Sequence, residues 1–420
     1  MPAGGGRPRG ALARLGRCLL RDGRGPARRW RLHGALSAGA RVRGREKRHA
    51  GSARRHQGRR PEHGRRGPFA TQILAELGAE IVKVEGPGGD ILRAPGPARS
   101  PGMGAAFLNC NRGKDSVVLD LKQEAGRARL DDLVRGADIL VHNMRMEAAA
   151  RLGLDDARLR AINPGLITCA IVGFGQDGPY RDRPAYDDIV QAASGWADLE
   201  RRAGGEPRYA PTIAADKTAS LYVTTAISAA LFHRARTGEG QAIEVPMFES
   251  MVSFLAVEHL AGLTFRPPLG PSGYARLLSK HRRPYPTRDG HIAVLPYNAS
   301  HWRAVFRAAG REDWAQEAAL GSDAARAAMI DTLYERLAGC LAQDTTEAWL
   351  SRLAPLDVPC TRVNRIEDLL DDPHLAATGF FEAIDHPTEG PLLATRPPVR
   401  FSRTPCGATR PAPPLDSGDP

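Results

Sequence analysis

Apolar residues recur with a regular period only from position 67 onward. Phe69, Ile73, Leu74 and Leu77 fall on one face of a predicted helix, and Gly78 ends it. The residues at 79–84, AEIVKV, then alternate as a strand does. VVLDL at 117–121 is the next apolar run, and a helix follows near 124–135. Residues 139–141 form a short buried strand, and LITCAIV at 166–172 forms another. Strands alternating with helices at this spacing argue an α/β fold, with a parallel sheet and helical crossovers. The opening helix then has no strand before it. A doubly wound sheet needs one there, and the Arg-rich stretch before position 67 is not expected to supply it.

The second half changes character. A long, mostly apolar helix spans 217–236 and is stopped by Thr237-Gly238-Glu239-Gly240. Residues 244–263 read as a further helix, and the Pro/Gly-rich residues 264–279 as a linker. GHIAVLP at 290–296 opens an α+β stretch with helices near 302–309 and 323–341. A short helix at 345–353 and a strand at 358–363 follow, and the Pro-rich tail from Pro411 is expected to be loose. There are no internal repeats.

A chain of 420 residues suits two domains, and 42% hydrophobic content is ordinary for a globular protein. No run of 18 or more apolar residues occurs, so no membrane span is expected. The six cysteines are scattered, without a C-x-x-C. That argues against a zinc site or a disulfide framework and for a reducing compartment, the cytoplasm. The formal charge of +12 describes one segment only. Residues 1–66 hold 19 Arg and one Lys against Asp22, Glu46 and Glu62. The remaining 354 residues carry 39 basic and 44 acidic groups, so the body is mildly acidic. A nucleic-acid partner would require a basic face on that body, and none is expected.

Three readings of the basic segment stand side by side. It is a basic arm for nucleic acid or membrane surfaces, a transit peptide (which would make the protein mitochondrial), or the product of a wrong start or frameshift in a GC-rich gene. In each case residues 1–66 lack the apolar surface that would offset their ordering entropy, and disorder is expected.

Several chemistries are excluded by missing motifs. Gly86-Pro87-Gly88-Gly89 after the first strand is a turn, because no G-x-G-x-x-G is present. G-x-S-x-G is absent and the histidines do not cluster at ligand spacing, so neither triad chemistry nor a bound metal is expected. Asp216 stands where the 217–236 helix begins. By position alone it is a helix N-cap. The same position also suits a nucleophile, since a helix N-terminus stabilises a carboxylate.

A set of segments in fixed order is more specific. They are 67–84 (GPFATQILAELGAEIVKV), 111–122 (NRGKDSVVLDLK), 143–154 (NMRMEAAARLGL), 171–180 (IVGFGQDGPY), 185–195 (AYDDIVQAASG), Asp216 before its helix, 237–245 (TGEGQAIEV) and 358–370 (VPCTRVNRIEDLL). Together they resemble the class III CoA-transferases, the formyl-CoA transferase-like or CaiB/BaiF family, over about residues 67–405. That family opens on a strand of the type G-x-R-V-L-D-L, and here the Arg-rich residues 54–66 stand in its place. This abrupt switch motivates the frameshift reading.

The resemblance implies a Rossmann-like large domain with a smaller α+β domain, in a homodimer of interlinked chains. The expected division is an extension at 1–66, a large CoA-binding domain at 67–240, a linker at 241–271, a small domain at 272–357 and a return to the large domain at 358–420. It implies acyl-CoA and a carboxylic acid as substrates, with no tightly bound cofactor. Asp216 would be the catalytic nucleophile. Leu119, Asp120, Leu121 and Lys122 would line the adenine slot, Asn143, Met144 and Arg145 would continue it, and Arg151 would carry phosphate charge. Tyr186 would touch substrate or CoA. The α-methylacyl-CoA racemases resemble the chain in the same segments but carry a histidine where Tyr186 stands. A phenol with a pKa of about 10 is a poor base at pH 7, so transfer is favoured over racemisation. An inactive CoA-binding homologue is the other alternative. Oxalate and formate specificity is not implied, since only Gly270-Pro271-Ser272-Gly273 stands near the place of the family's glycine lid.

Overall fold

The computed structural model describes residues 31–36, 66–406 and 410–417. Its main sheet contains β1 (Arg31–Leu36), β2 (Glu80–Glu85), β3 (Lys114–Val118), β4 (Ile139–His142), β5 (Ile167–Val172) and β6 (Ala242–Pro246). All pairings are parallel and the order is β3-β2-β1-β4-β5-β6. This is the doubly wound dinucleotide-fold order, with its reversal between β1 and β4. The helices of this half are α1 (Arg66–Glu76), α2 (Ala105–Cys110), α3 (Glu124–Arg135), α4 (Met146–Arg151), α5 (Asp156–Ile162), α6 (Asp187–Ala193), α7 (Trp196–Arg202), α8 (Ala214–Thr237) and α9 (Met247–His259).

Strand residues alternate between two buried cores. Ile81, Ile139, Val141, Ile167 and Ile171 join a core with residues of α1, α6, α8 and α9. Val82, Val84, Val117 and Leu140 face the other, against residues of α3, α4 and α5. Burial on both faces explains why these strands read as continuous apolar runs.

β1 corrects an expectation. The Arg-rich segment does supply the first strand, and it sits at the centre of the sheet. Leu32 is in register with Ile81 on one side and Ile139 on the other, and His33 with Val82 and Leu140. The physical reason is that a central strand is selected by backbone pairing. A gap here would orphan the inner edges of β2 and β4. The disorder expected of the rest of residues 1–66 lies outside the described residues.

Other boundaries move as well. α1 is buried through Ala70, Thr71, Leu74 and Ala75, whereas Leu77 is exposed. VVLDL is not one strand, because β3 ends at Val118 and residues 119–122 form the turn beyond it. The helix expected at 244–263 begins only at Met247, since Ala242–Pro246 pairs with β5 as the sixth strand.

The second unit has a small antiparallel sheet of β7 (Tyr285–Pro286), β8 (His291–Val294) and β9 (Cys360–Arg362). Around it lie α10 (Ala299–Ala308), α11 (Glu312–Ala315), α12 (Asp323–Ala328), α13 (Ile330–Leu341) and α14 (Thr346–Leu353). Trp302, Phe306, Tyr334 and Trp349 fill its separate core. The chain then forms α15 (Pro373–Thr378) and an antiparallel pair that sequence reading missed, β10 (Phe381–His386) and β11 (Gly390–Thr395).

The tail, expected to be loose, is hydrogen-bonded along β3. Gly113 N–H donates to Arg410 O (2.8 Å), Ser116 N–H to Ser417 Oγ (3.0 Å) and Val118 N–H to Asp416 Oδ1 (3.2 Å). Its proline content misled because Pro lacks a donor, whereas this tail serves chiefly as an acceptor and so blunts the edge strand. Behind it, Glu85 is fully buried and receives both Arg93 Nε (2.8 Å) and Arg93 Nη2 (2.6 Å). Lys83 pairs with Asp90 at 2.5 Å in the same interior. Arg93 also donates to Pro413 O at 3.3 Å, which ties the tail to the ion pairs.

Two predictions follow from this architecture. His33→Pro removes a donor from the strand that pairs on both sides. It should destabilise the fold by at least the roughly 1–3 kcal/mol of an unsatisfied buried backbone group, read as a lowered urea midpoint. Arg93→Met leaves Glu85 buried without its partner and should cost about 3–5 kcal/mol, by the same measurement. The pH dependence of that loss has a definite sign. Burial raises the Glu85 pKa, but the Arg93 hydrogen bond, the Lys83 and Arg93 charges and the Ser116 hydrogen bond together hold it below its ordinary value. A depressed carboxyl contributes stability above its unfolded pKa of about 4.3 and loses it as pH falls through the folded value. The gap between wild type and variant should therefore narrow in acid.

Candidate active site

Open α/β sheets bind ligands beyond the carboxyl ends of their strands, near the point where strand order reverses. Two of the predicted CoA segments lie on that edge. Leu119–Lys122 follows β3. Leu119 N–H donates to Glu85 O of β2 (2.8 Å), and the turn is closed by Gln123 N–H donating to Asp120 O (2.9 Å) and Lys122 N–H donating to Asp120 Oδ1 (3.1 Å). Leu121 is buried and Lys122 exposed. Asn143, Met144 and Arg145 follow β4, the first two buried and Arg145 exposed at the start of α4. With β2 and β1 between them, the segments are three strand spacings apart, about 14 Å. An elongated ligand laid across the sheet edge would touch both.

A pocket opens beyond β4 and β5. Asn143, Met144, Arg145, Gln176, Arg181 and Arg183 line it, together with Gly173 and Ala185 on the inner wall. Gly173 is required there, since a Cβ would stand 2.2 Å from that of Ala185. The loop after β5 is anchored from below. Gly175 N–H donates to Glu249 Oε1 and Gln176 N–H to Glu244 Oε1, each at 2.9 Å. Buried Phe174 packs on Tyr180 and Phe248, with ring centroids 5.6 and 5.4 Å away.

Asp216 is buried, at 6% exposure, and stands third in α8. The N-cap position belongs to Ile213, so the expectation of Asp216 as N-cap is corrected. The helix starts earlier because Ala214 N–H and Lys217 N–H are taken up by the Thr212 and Ile213 carbonyls. Asp216's own N–H donates to Asp187 Oδ1 at 2.9 Å. Asp187 Oδ2 in turn accepts from Gln191 Nε2 at 2.5 Å, and Gln191 Oε1 accepts from Ala210 N–H at 2.8 Å. A chain of bonds thus ties the first turn of α8 to the first turn of α6. One of the unpaired N–H groups that open every helix is satisfied by a carboxylate.

Asp187 is the residue that sequence reasoning missed. It stands in the AYDD motif, where attention fell on Tyr186. Its burial gave no local signal, because Asp188 beside it has the same character and is exposed. Arg181 and Arg183 were also missed. The available signal was two arginines placed between two motif segments.

The other predicted residues are placed less centrally. Tyr186 precedes α6 and is 48% exposed, so it is not a core residue. Arg151 ends α4, two-thirds exposed, and pairs with Glu147 at 2.5 Å. It does not line the pocket. His142, at the end of β4, is buried. Burial lowers its pKa to about 4, outweighing a hydrogen bond with the Met144 backbone that raises it, so the imidazole is neutral at pH 7. Among the described residues, no group of His, Cys, Asp and Glu is placed to hold a metal ion.

Comparison with known proteins gives this geometry a family. The model of CoA-transferase family III matches residues 63–418. Succinate–glutarate CoA-transferase of Agrobacterium fabrum is 34% identical over 362 residues, covering 83% of this chain and 89% of that protein. The human succinyl-CoA:glutarate CoA-transferase is 28% identical over 353 residues, covering 83% and 80%. Among solved structures, a CaiB/BaiF family protein from Brucella suis superimposes with a TM-score of 0.74 at 29% identity, covering 92% of this chain and 96% of that one. The chain belongs to CoA-transferase family III.

Proposed function

We propose that this protein transfers CoA from an acyl-CoA to a carboxylic acid through covalent intermediates on Asp216. The observation that carries the reading is a buried carboxylate in the first turn of α8, held through Asp187 to the helix that begins beside the pocket. The ionised Asp216 carboxylate attacks the thioester carbonyl, CoA thiolate leaves, and an aspartyl acyl anhydride forms. The thiolate then attacks the aspartyl carbonyl, releasing the donor as its free acid and leaving an aspartyl-CoA thioester. The acceptor carboxylate attacks that thioester to form a second anhydride. CoA thiolate returns to its acyl carbonyl, and Asp216 is regenerated. Backbone N–H groups near the helix start would stabilise each tetrahedral oxyanion.

CoA is read as lying along the carboxyl edge of the sheet. Its adenine would sit at Leu119, Asp120, Leu121 and Lys122, and its chain would pass Asn143, Met144 and Arg145 towards Asp216. Tyr186, exposed at the start of α6, would touch the substrate. Arg151 would serve the phosphates, since its pair with Glu147 is solvated and cheap to exchange for a phosphate. Succinate, glutarate and mesaconate in the names of relatives support a dicarboxylic acid as donor or acceptor. A homodimer is part of the reading. Leu221 and Phe232 on α8 and Phe254 and Val257 on α9 are exposed apolar residues, Val257 at 85%, and a second copy would cover them.

Two tests address this reading. Asp216→Asn should cost at most about 1 kcal/mol of stability, yet reduce transfer by several orders of magnitude, because an amide cannot replace the attacking carboxylate. Mass spectrometry after incubation with acyl-CoA and hydroxylamine should find a hydroxamate on Asp216. Asp188 is the suitable acidic control, since Asp187 bonds to Asp216 itself. Full activity in the variant, or an adduct elsewhere, would refute the assignment. Persistent α-proton exchange without transfer would favour the racemase alternative. Separately, Arg151→Ala should weaken acyl-CoA binding by about 1–3 kcal/mol, and by less at high salt. An unchanged dissociation constant at low salt would make Arg151 a surface residue only.

A further inference from the structure

We propose that Asp416, with Ser417 beside it, is a positioning residue for CoA: it fixes the outer side of the turn at 119–122 and so sets the affinity for the adenine end. The inference rests on the placement of adenine at that turn given above and adds the group from the tail that holds the turn in shape.

The tail runs beside β3 in the same direction, and towards the turn it exchanges backbone acceptors for side-chain ones. Gly113 N–H is taken by the Arg410 carbonyl, but Ser116 N–H goes to Ser417 Oγ and Val118 N–H to Asp416 Oδ1. Asp416 N–H returns a long bond to Ser116 Oγ at 3.4 Å, and that hydroxyl donates to buried Glu85 at 2.6 Å. Two adjacent side chains thus do for the outward N–H groups of Ser116 and Val118 what one more strand would do. Asp416 does so from the left-handed region, with φ 58°. Few residues other than glycine sit there, and Asn and Asp are the usual exceptions. A residue held in a sparsely populated conformation is maintained by its surroundings, and here its carboxylate reaches Val118.

Val118 is the residue from which the turn departs. Its N–H points outward to the tail, whereas that of Leu119 points inward to Glu85 O. The two peptide groups that flank Val118 are therefore held on opposite sides, and together they aim residues 119–122. Another flank of the turn is closed by α3, where a Cβ on Gly126 would stand 2.2 Å from Asp120 O. With β2 and α3 on two sides, the tail supplies the third. Val118 is only partly buried and Asp416 is exposed, so losing their bond costs the fold little, because water replaces it. The cost falls on the ligand, since a looser turn must be ordered when CoA binds.

The experiment uses the full-length chain, calorimetric titration with free CoA, and steady-state kinetics with succinyl-CoA and glutarate. Asp416→Gly keeps access to the left-handed conformation and loses the acceptor. It should raise the CoA dissociation constant and the KM for succinyl-CoA about five- to tenfold, while kcat, the KM for glutarate and the urea midpoint stay unchanged. Asp416→Asn, which keeps both the left-handed preference and a side-chain oxygen, should bind CoA as the wild type does. Arg410→Gln breaks the tail's pair with Asp115 at the opposite end of β3 and should leave the dissociation constant alone. Unchanged CoA binding in Asp416→Gly would overturn the inference. So would tighter binding in Asp416→Asn, which would show the carboxylate repelling CoA phosphate rather than holding the turn. A loss in Arg410→Gln equal to that in Asp416→Gly would overturn it too, since any weakening of the tail would then suffice. Lys122→Gln checks the adenine placement separately. If the wild type binds CoA and Lys122→Gln binds it equally well, that placement is refuted, and this inference with it.

Discussion

Every interior strand of a parallel sheet satisfies the backbone donors and acceptors of two neighbours at once, and here that duty at the centre falls on β1. Its register against β2 and β4 sets how those strands lie side by side. The spacing between the turns after β3 and β4 follows from that register, and so does the position of the pocket beyond β4 and β5. The strand comes from a segment whose composition argues for no structure at all. Backbone pairing on both sides is a tertiary demand, and local composition carries almost no information about it.

The second constraint is the set of charges buried under the tail. Glu85, Arg93, Lys83 and Asp90 lie between β2 and the loop that follows it, and Arg93 reaches the Pro413 carbonyl. Such pairs contribute little net stability once desolvation is counted, but breaking one is expensive. Their consequence here is specificity. The tail can satisfy the β3 edge and the Arg93 donor together in one register, and the turn at 119–122 begins directly beyond the tail's last bond, at Val118.

At the start of α8 the same logic appears on a smaller scale. Asp216 is held by its backbone, through Asp187 and Gln191, and not by a cap of its own. The loop that carries Arg181 and Arg183 is held by two carboxylates from β6 and α9. In both cases the positioning groups come from elements distant in sequence.

Much of this was legible in the chain. Alternating apolar runs and helical spacing from position 67 were enough for the α/β class and most crossovers, because those patterns report which side of an element is buried. The ordered motifs were enough for the family, because they include tight turns with strict local geometry, as at Gly173. What the tertiary structure decided depends on partners far away. It brought Arg31–Leu36 into the sheet, laid the tail along β3, began α8 before Asp216 and separated buried Asp187 from exposed Asp188. None of these has a local signature. A hydrogen bond between residues brought together from distant parts of the chain depends on where the fold places both ends, and no window of sequence contains that information.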